Sequence, residues 1–214
     1  MVMPASHIFN PKYVGKTISH EIQKVYYSSN TFSVCNVENA ISNFLNLPTG
    51  YSMQKWSNGL PPTLPETLQL QPVIIPSDHI SHLQVRVKLE HLESSMPKYL
   101  GQMQEYAHEQ QFLHLTALEL QGLKQLSVSS AQRKISIELI VMTELPGLGT
   151  DLYDDDRRFV NFLQAIRNTV YTLIHGGGNL RVKITHQDES FSPFPRDITQ
   201  MFALTKQQWE HVST

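Results

Sequence analysis

Three segments with alternating hydrophobicity, separated by segments of helical periodicity, constrain the fold of this chain most strongly. Alternating apolar residues over 80–90, 134–143 and 180–186 predict three strands, because successive side chains of a strand point to opposite faces. Apolar residues on both faces at 139–142 indicate a central, covered strand. Helical segments follow each strand, the last near 197–212, and such connections permit parallel pairing. We therefore predict a single α/β domain over 1–214, with a mixed or parallel sheet and packed helices.

The N-terminal part predicts a helix–strand–helix unit over residues 10–46. Asn10-Pro11 favours a helix start, and the polar run 28–30 favours its end, before a β-prone segment at 31–34. We expect this first helix to bury one apolar stripe, formed by Val14, Ile18, Ile22, Val25 and Tyr26. Further along, 115–123 fits both a leucine-rich-repeat spacing and a packed helix.

A long proline-rich loop is predicted over residues 47–78, between this unit and the strand–helix repeats of 79–214. The loop holds half of the 12 prolines of the chain, and connections of this length are uncommon unless they serve a function or are disordered. Aromatic and methionine side chains are favoured at interfaces, but they could equally anchor the loop to the core. The residues that we expect to contact a partner are Tyr51, Met53, Trp56 and Leu60.

Composition indicates a folded intracellular protein. Hydrophobic residues make up 40% and charged residues 17% of the chain, which is typical of globular proteins. A net charge of −2 provides no general attraction for nucleic acid or acidic membranes, and no apolar run approaches the length of a membrane span. The single cysteine, Cys35, excludes an intrachain disulfide and favours a reducing compartment, so we expect a cytoplasmic or nuclear location.

Polar clusters give little support to a metal or cofactor site. Asp151 and Asp154–Asp156 could hold a divalent cation, but acidic residues are also typical of a helix N-terminus. The sequence 175–178, HGGG, resembles an esterase oxyanion loop, but the chain has no G-x-S-x-G, and a helix end followed by a turn explains these glycines. The histidines lack metal-ligand spacing, and catalysis by Cys35 has no partner motif. We predict no cofactor, no metal and no catalytic residue.

The first helix and the strand that follows it resemble fungal F-box-like proteins. The similarity lies in Tyr26-Tyr27-Ser28, Asn30-Thr31-Phe32 and a later strand with His79, Ile80, Leu83 and Val85. This resemblance implies the recognition portion of such a protein. Nine residues precede Asn10, which is too few for the F-box-like segment, so we expect that portion without its docking half.

The leading functional prediction is a non-enzymatic domain that binds a protein partner through the 47–78 loop and the neighbouring sheet edge. The alternative is an enzyme or small-molecule-binding protein with a pocket between sheet and helices. That pocket would be lined by His79, His82 and His175, with a tyrosine or the 151–156 acidic cluster. Neither nucleic acid nor a membrane is a predicted partner, and the sequence leaves the oligomeric state open.

Overall fold

The chain forms an α/β fold on a five-stranded mixed sheet, which confirms the predicted fold class. A computed structural model describes residues 11–37, 39–46, 74–89, 102–129, 133–143, 152–175, 179–188, 194–203, 205 and 207–208. The strands are β1 (Thr31–Cys35), β2 (His82–Lys88), β3 (Ile135–Thr143), β4 (Leu180–Asp188) and β5 (Arg196–Asp197). They are ordered β1-β2-β3-β4-β5, with β1 to β4 parallel and β5 antiparallel to β4.

Six α-helices in the described ranges precede or connect the strands. They are α1 (Pro11–Val14), α2 (Lys16–Ser29), α3 (Ala40–Asn46), α4 (Gln102–Gln121), α5 (Lys124–Ser129) and α6 (Leu152–His175). Gly15 separates α1 from α2 with a φ of 83°, which glycine adopts without steric cost. The segment 115–123 lies mostly within α4, where a leucine-rich repeat would place a strand, so helix packing explains its spacing.

All of the parallel strands pack one face against the helices. Buried side chains from that face of β1 to β4 form one hydrophobic cluster with buried residues of α2 to α6. Phe32, Leu83 and Ile137 are neighbours in register on this face. β3 is the central strand and its residues 139–142 are all buried, as predicted. Ile140 and Met142 nevertheless lie outside the main cluster, because they project from the opposite face.

The buried side of α2 differs from the predicted apolar stripe. Ile18 and Val25 are 57% and 60% exposed, whereas Ser19 and Tyr27 are buried. The physical reason is an aromatic cluster at the end of the helix, where the Tyr27 ring stacks on the Phe32 ring at a centroid distance of 5.2 Å. Burial of these rings fixes the rotation of the helix, so its apolar stripe turns partly toward solvent.

The predicted C-terminal helix near 197–212 is wrong over its first part. Here the chain forms β5 and a 3-10 turn over Thr199–Phe202, and the described residues beyond it include only two helical positions, 207–208. The Ile198 amide donates to the Ile184 carbonyl, and the Ile184 amide donates to the Thr199 hydroxyl. These bonds satisfy backbone groups along the outer edge of β4, which a helix at this position would leave unpaired.

Candidate functional site

The face of the sheet opposite the helices is the main candidate site. Because side chains alternate along each strand, the register places one set of residues from β1 to β4 on this face. We call this set the open face: it comprises Thr31, Ser33, Cys35, His82, Gln84, Arg86, Lys88, Ser136, Glu138, Ile140, Met142, Arg181, Lys183, Thr185 and Gln187.

The two ends of the open face differ in exposure. Toward the amino ends of the strands it is polar, and His82, Arg181 and Lys183 are exposed. Toward the carboxyl ends, Ile140, Met142 and Thr185 of β3 and β4 are buried, whereas Cys35 of β1 and Arg86 of β2 are exposed. The accessible part of the face is therefore a polar surface on a rigid sheet.

A row of polar side chains crosses the middle of the open face. Gln84 Nε2 donates to Glu138 Oε2 at 2.9 Å, and Lys183 Nζ lies 3.6 Å from Glu138 Oε1. These contacts join three neighbouring strands and leave the Glu138 carboxylate with a partner on each side. The row fixes the side-chain arrangement of a surface that would otherwise consist of independent polar groups.

Two arginines on the open face are available to a ligand. Arg86 on β2 and Arg181 on β4 are both exposed, and neither side chain forms a hydrogen bond or ion pair with any other described residue. Cys35 lies on the same face at the end of β1, and its thiol is exposed. The open face thus presents one thiol and two guanidinium groups that have no partner among the described residues.

A second polar cluster lies at the carboxyl ends of β3 and β4. Thr143 Oγ1 is 2.8 Å from His186 Nε2, and the His186 ring contacts the Phe159 ring of α6 at a centroid distance of 4.6 Å. Burial lowers the pKa of His186, with Asp188 acting to raise it and Arg196 to lower it. The imidazole is therefore neutral near pH 7, and it is a packed partner of Thr143 and Phe159.

A buried carboxylate joins α4 to α6 near the same edge of the sheet. Glu109 is 4% exposed, and its Oε1 accepts a hydrogen bond of 2.9 Å from Asn161 Nδ2. Arg157 Nη2 lies 3.7 Å from Glu109 Oε2. This arrangement satisfies the carboxylate, and we assign it to helix packing.

A groove of about 450 Å³ runs between α4 and α6 on the helical side of the molecule. Its lining is largely polar and comprises Gln110, Leu113, His114, Ala117, Asn161, Gln164 and Ala165. The groove is broad and open, and none of the histidines predicted to line a pocket borders it.

The structure does not bring His79, His82 and His175 together. His79 precedes β2, and its electrostatic neighbours are Arg133, Asp78, Lys24 and His20. Burial and then the Arg133 charge lower the pKa of His79. His82 is exposed on the open face, whereas His175 is exposed at the end of α6 with its ring 4.4 Å from the Tyr171 ring.

The partner-contacting residues predicted in the loop, Tyr51, Met53, Trp56 and Leu60, lie outside the described residues. Asp151 and the side chains of Asp154–Asp156 also lie outside the described residues, although Asp154–Asp156 belong to the first turns of α6. Within the described ranges, no group of three or more potential ligands could hold a metal ion. No helix in those ranges is long and apolar enough to cross a membrane.

Three features of the site were not foreseen from sequence. The polar positions of the open face are visible as the polar half of each alternating strand, but the pattern does not reveal that the described helices pack against the other half. His186 lies on the inward-facing register of β4, and an extension of that alternation from Ile184 would have identified it. The Glu109–Asn161 pair gives no sequence signal, because each residue resembles an ordinary polar position on a helix.

None of the protein-family models, curated proteins or solved structures compared with this chain matches it.

Proposed function

We propose that this chain is a non-enzymatic protein-interaction domain, which binds a protein partner through the open face of its sheet and through residues of the 47–78 loop. The observation that carries the proposal is a set of exposed polar side chains on one face of a sheet whose first four strands are parallel. Sheets of parallel strands are normally covered on both faces. A parallel sheet with one accessible face is typical of solenoid proteins, which bind partners on it.

The core between the sheet and the helices supports binding at the surface rather than in an internal pocket. Phe32 and Phe162 are among the largest fully buried side chains and belong to one cluster with Leu139 of the central strand. Close packing of this kind fills the space in which a pocket between sheet and helices would lie. The open face offers the accessible side chains of Arg86, Arg181 and Cys35 for binding at the surface.

The resemblance to the recognition portion of fungal F-box-like proteins supports the same proposal. In this chain, Tyr26, Tyr27 and Phe32 of that motif form an aromatic cluster, with Tyr26–Phe32 ring centroids 5.5 Å apart. These rings hold α2 against β1, so the motif is architectural. The partner-binding residues would then lie elsewhere, on the open face and in the loop.

The single cysteine allows a direct test of the proposed surface. Coupling a bulky polyethylene-glycol maleimide to Cys35 places a steric block on the open face. We expect the labelled protein to bind its partner more weakly by about tenfold or more, because a hydrated polymer excludes a docked protein. Capture from native lysate is measured first and is then repeated with the isolated partner. Binding is measured with immobilised protein, and Trp56→Ala in the loop should weaken the same capture.

The matched control is a Cys35→Ser, Ser28→Cys variant that carries the same polymer on α2. Ser28 is exposed and lies away from the open face. Both labelled proteins should melt within about 2 °C of the wild type, since surface changes alter stability little. Equal capture by the protein labelled at Cys35 and by the unlabelled protein would refute the open face as the binding surface.

A further inference from the structure

We infer that the open face selects an acidic peptide segment of its partner. This inference rests on the proposed function and adds the chemistry of the partner. Four cationic side chains lie on this face: Arg86 and Lys88 on β2, and Arg181 and Lys183 on β4. Against the acidic Glu138 and Asp197, these four side chains leave the described face net positive, whereas the chain as a whole has a net charge of −2.

Acidic side chains on the same face are already engaged. Glu138 is held by Gln84 and Lys183. Asp197 of β5, in register with Thr185, accepts a hydrogen bond of 2.9 Å from the Thr199 amide. The Thr199 hydrogen bonds lower the pKa of Asp197, with a smaller contribution from Lys183. Arg86 and Arg181 have no such contact with another described residue.

The geometry of the two arginines suits an extended segment. Arg86 is in register with Ile140 and Arg181 with Ser136, so the two positions lie on either side of β3 and are offset by four residues. With a strand spacing near 4.8 Å and a rise near 3.3 Å per residue, their backbone positions are roughly 16 Å apart. About five residues of extended peptide span this distance, and each guanidinium can bind a carboxylate through two hydrogen bonds.

The composition of the face favours a peptide over a single-stranded nucleic acid. Binding of unpaired bases uses aromatic side chains as stacking platforms. The open face contains no phenylalanine, tyrosine or tryptophan, and His82 is its single ring. Glu138 at the centre would also repel a continuous phosphate backbone, whereas carboxylates spaced along a peptide can avoid it.

The test uses fluorescein-labelled hexaglutamate, hexaglutamine and hexalysine peptides and a labelled oligouridine with the full-length protein, and binding is measured by fluorescence anisotropy. Hexaglutamate should bind about tenfold more tightly than hexaglutamine, and the difference should shrink between about 50 mM and about 300 mM salt because exposed charges are screened. In Arg86→Glu/Arg181→Glu, hexaglutamate binding should weaken by about tenfold or more, since like charges are juxtaposed.

The matched control is Lys12→Glu/Lys16→Glu, which changes the net charge by the same amount at α1 and the start of α2. This control should bind hexaglutamate within about twofold of the wild type, because its charges are remote from the face. If Arg86→Glu/Arg181→Glu fails to fold, the Arg86→Gln/Arg181→Gln variant takes its place, and its hexaglutamate binding is compared with that of the wild type and the control.

Three outcomes would overturn the inference: hexaglutamine binding as tightly as hexaglutamate, equal losses in the control and the face variant, or tighter binding of oligouridine than of hexaglutamate. These outcomes are separable from failure of the proposed function. If the polymer at Cys35 abolishes partner capture but the protein shows no preference for hexaglutamate, the open face remains the proposed interaction surface. The inference of an acidic partner is then rejected.

Discussion

At the scale of single residues, Phe32 determines which side of α2 is buried. Its ring is 1% exposed and contacts the rings of Tyr26, Tyr27 and Phe44. Sequence periodicity identified the apolar positions of α2 correctly but not their orientation. Periodicity predicts burial of Ile18 and Val25 from their hydrophobicity alone. The stacking of aromatic rings at the end of the helix depends in addition on Phe32 in the strand that follows.

Replacement of Phe32 and Ile18 should therefore have unequal effects. Phe32→Ala should lower the free energy of unfolding by about 3–5 kcal/mol, because it leaves a cavity in the core. Ile18→Ala should change it by less than about 0.5 kcal/mol, since more than half of the Ile18 side chain is exposed. Urea unfolding followed by circular dichroism measures both values. Similar losses in the two variants would contradict the observed rotation of α2.

At the scale of elements, the close approach of α3 to the end of α4 depends on Gly122. A Cβ at this position would lie 2.5 Å from Ser42 Oγ of α3 and 3.2 Å from the Glu119 carbonyl oxygen. Glu119 also accepts a hydrogen bond of 2.9 Å from the Ile41 amide in the first turn of α3. Contact between the two helices thus requires a residue without a side chain where α4 ends.

We expect Gly122→Ala to destabilise the protein by about 1–3 kcal/mol through this overlap. Removal of the Ser42 hydroxyl should relieve the overlap, so Ser42→Ala/Gly122→Ala should recover more than half of the loss. The single variant Ser42→Ala provides the control and should remain close to wild type. A double-mutant cycle from thermal unfolding tests the coupling, and purely additive effects would argue against it.

Most element positions could be predicted from sequence, because periodicity reports which residues meet a core. The helical spacing of Phe159, Leu163, Ile166, Val170 and Leu173 predicts the buried stripe of α6. The last four are buried and Phe159 is partly buried, whereas the spacing leaves out the fully buried Phe162. The C-terminal segment could not be predicted in this way. Its conformation is set by hydrogen bonds between Thr199 and the edge of β4, which apolar spacing does not record.

At the scale of the whole molecule, two partly buried histidines should make stability depend on pH. Burial lowers the pKa of His79 and of His186 below the ordinary value of 6.5. Near pH 6 the unfolded chain therefore binds more protons than the folded protein, and acidification favours unfolding. The stability that the neutral forms of His79 and His186 contribute is fully present above pH 6.5. It is lost as the pH falls through the lowered pKa values of the folded protein.

We expect the free energy of unfolding to decrease between about pH 7.5 and about pH 5.5, where histidine titrates. His79→Gln/His186→Gln should show a smaller slope over this window, because the residues with lowered pKa values are gone. Urea titrations at several pH values measure the slope, and His114→Gln, at an exposed position of α4, is the control. An unchanged slope in the double variant would exclude these histidines as its source.

The sequence predicted the α/β class and the alternation that creates the open face, since both are local patterns. It could not predict which strands are neighbours, nor that the helices pack on one face. Arg86 and Arg181 are 95 positions apart in the chain, and only the register through β3 places them on one surface. The candidate site is thus a product of topology, which residue periodicity does not determine.

The order of strands in the sheet also bears on how the chain acquires its structure during synthesis. Every pair of neighbouring strands is consecutive along the chain, from β1 with β2 to β4 with β5. As the ribosome extends the chain from the N-terminus, each new strand can therefore dock on the strand completed before it, without waiting for a distant segment. Each parallel pair still joins residues 45 to 54 positions apart, so a long crossover must form before two strands can pair, and parallel pairing of this kind is slow. Among the described strands the antiparallel β5 is synthesised last, so their assembly would proceed in one direction from β1.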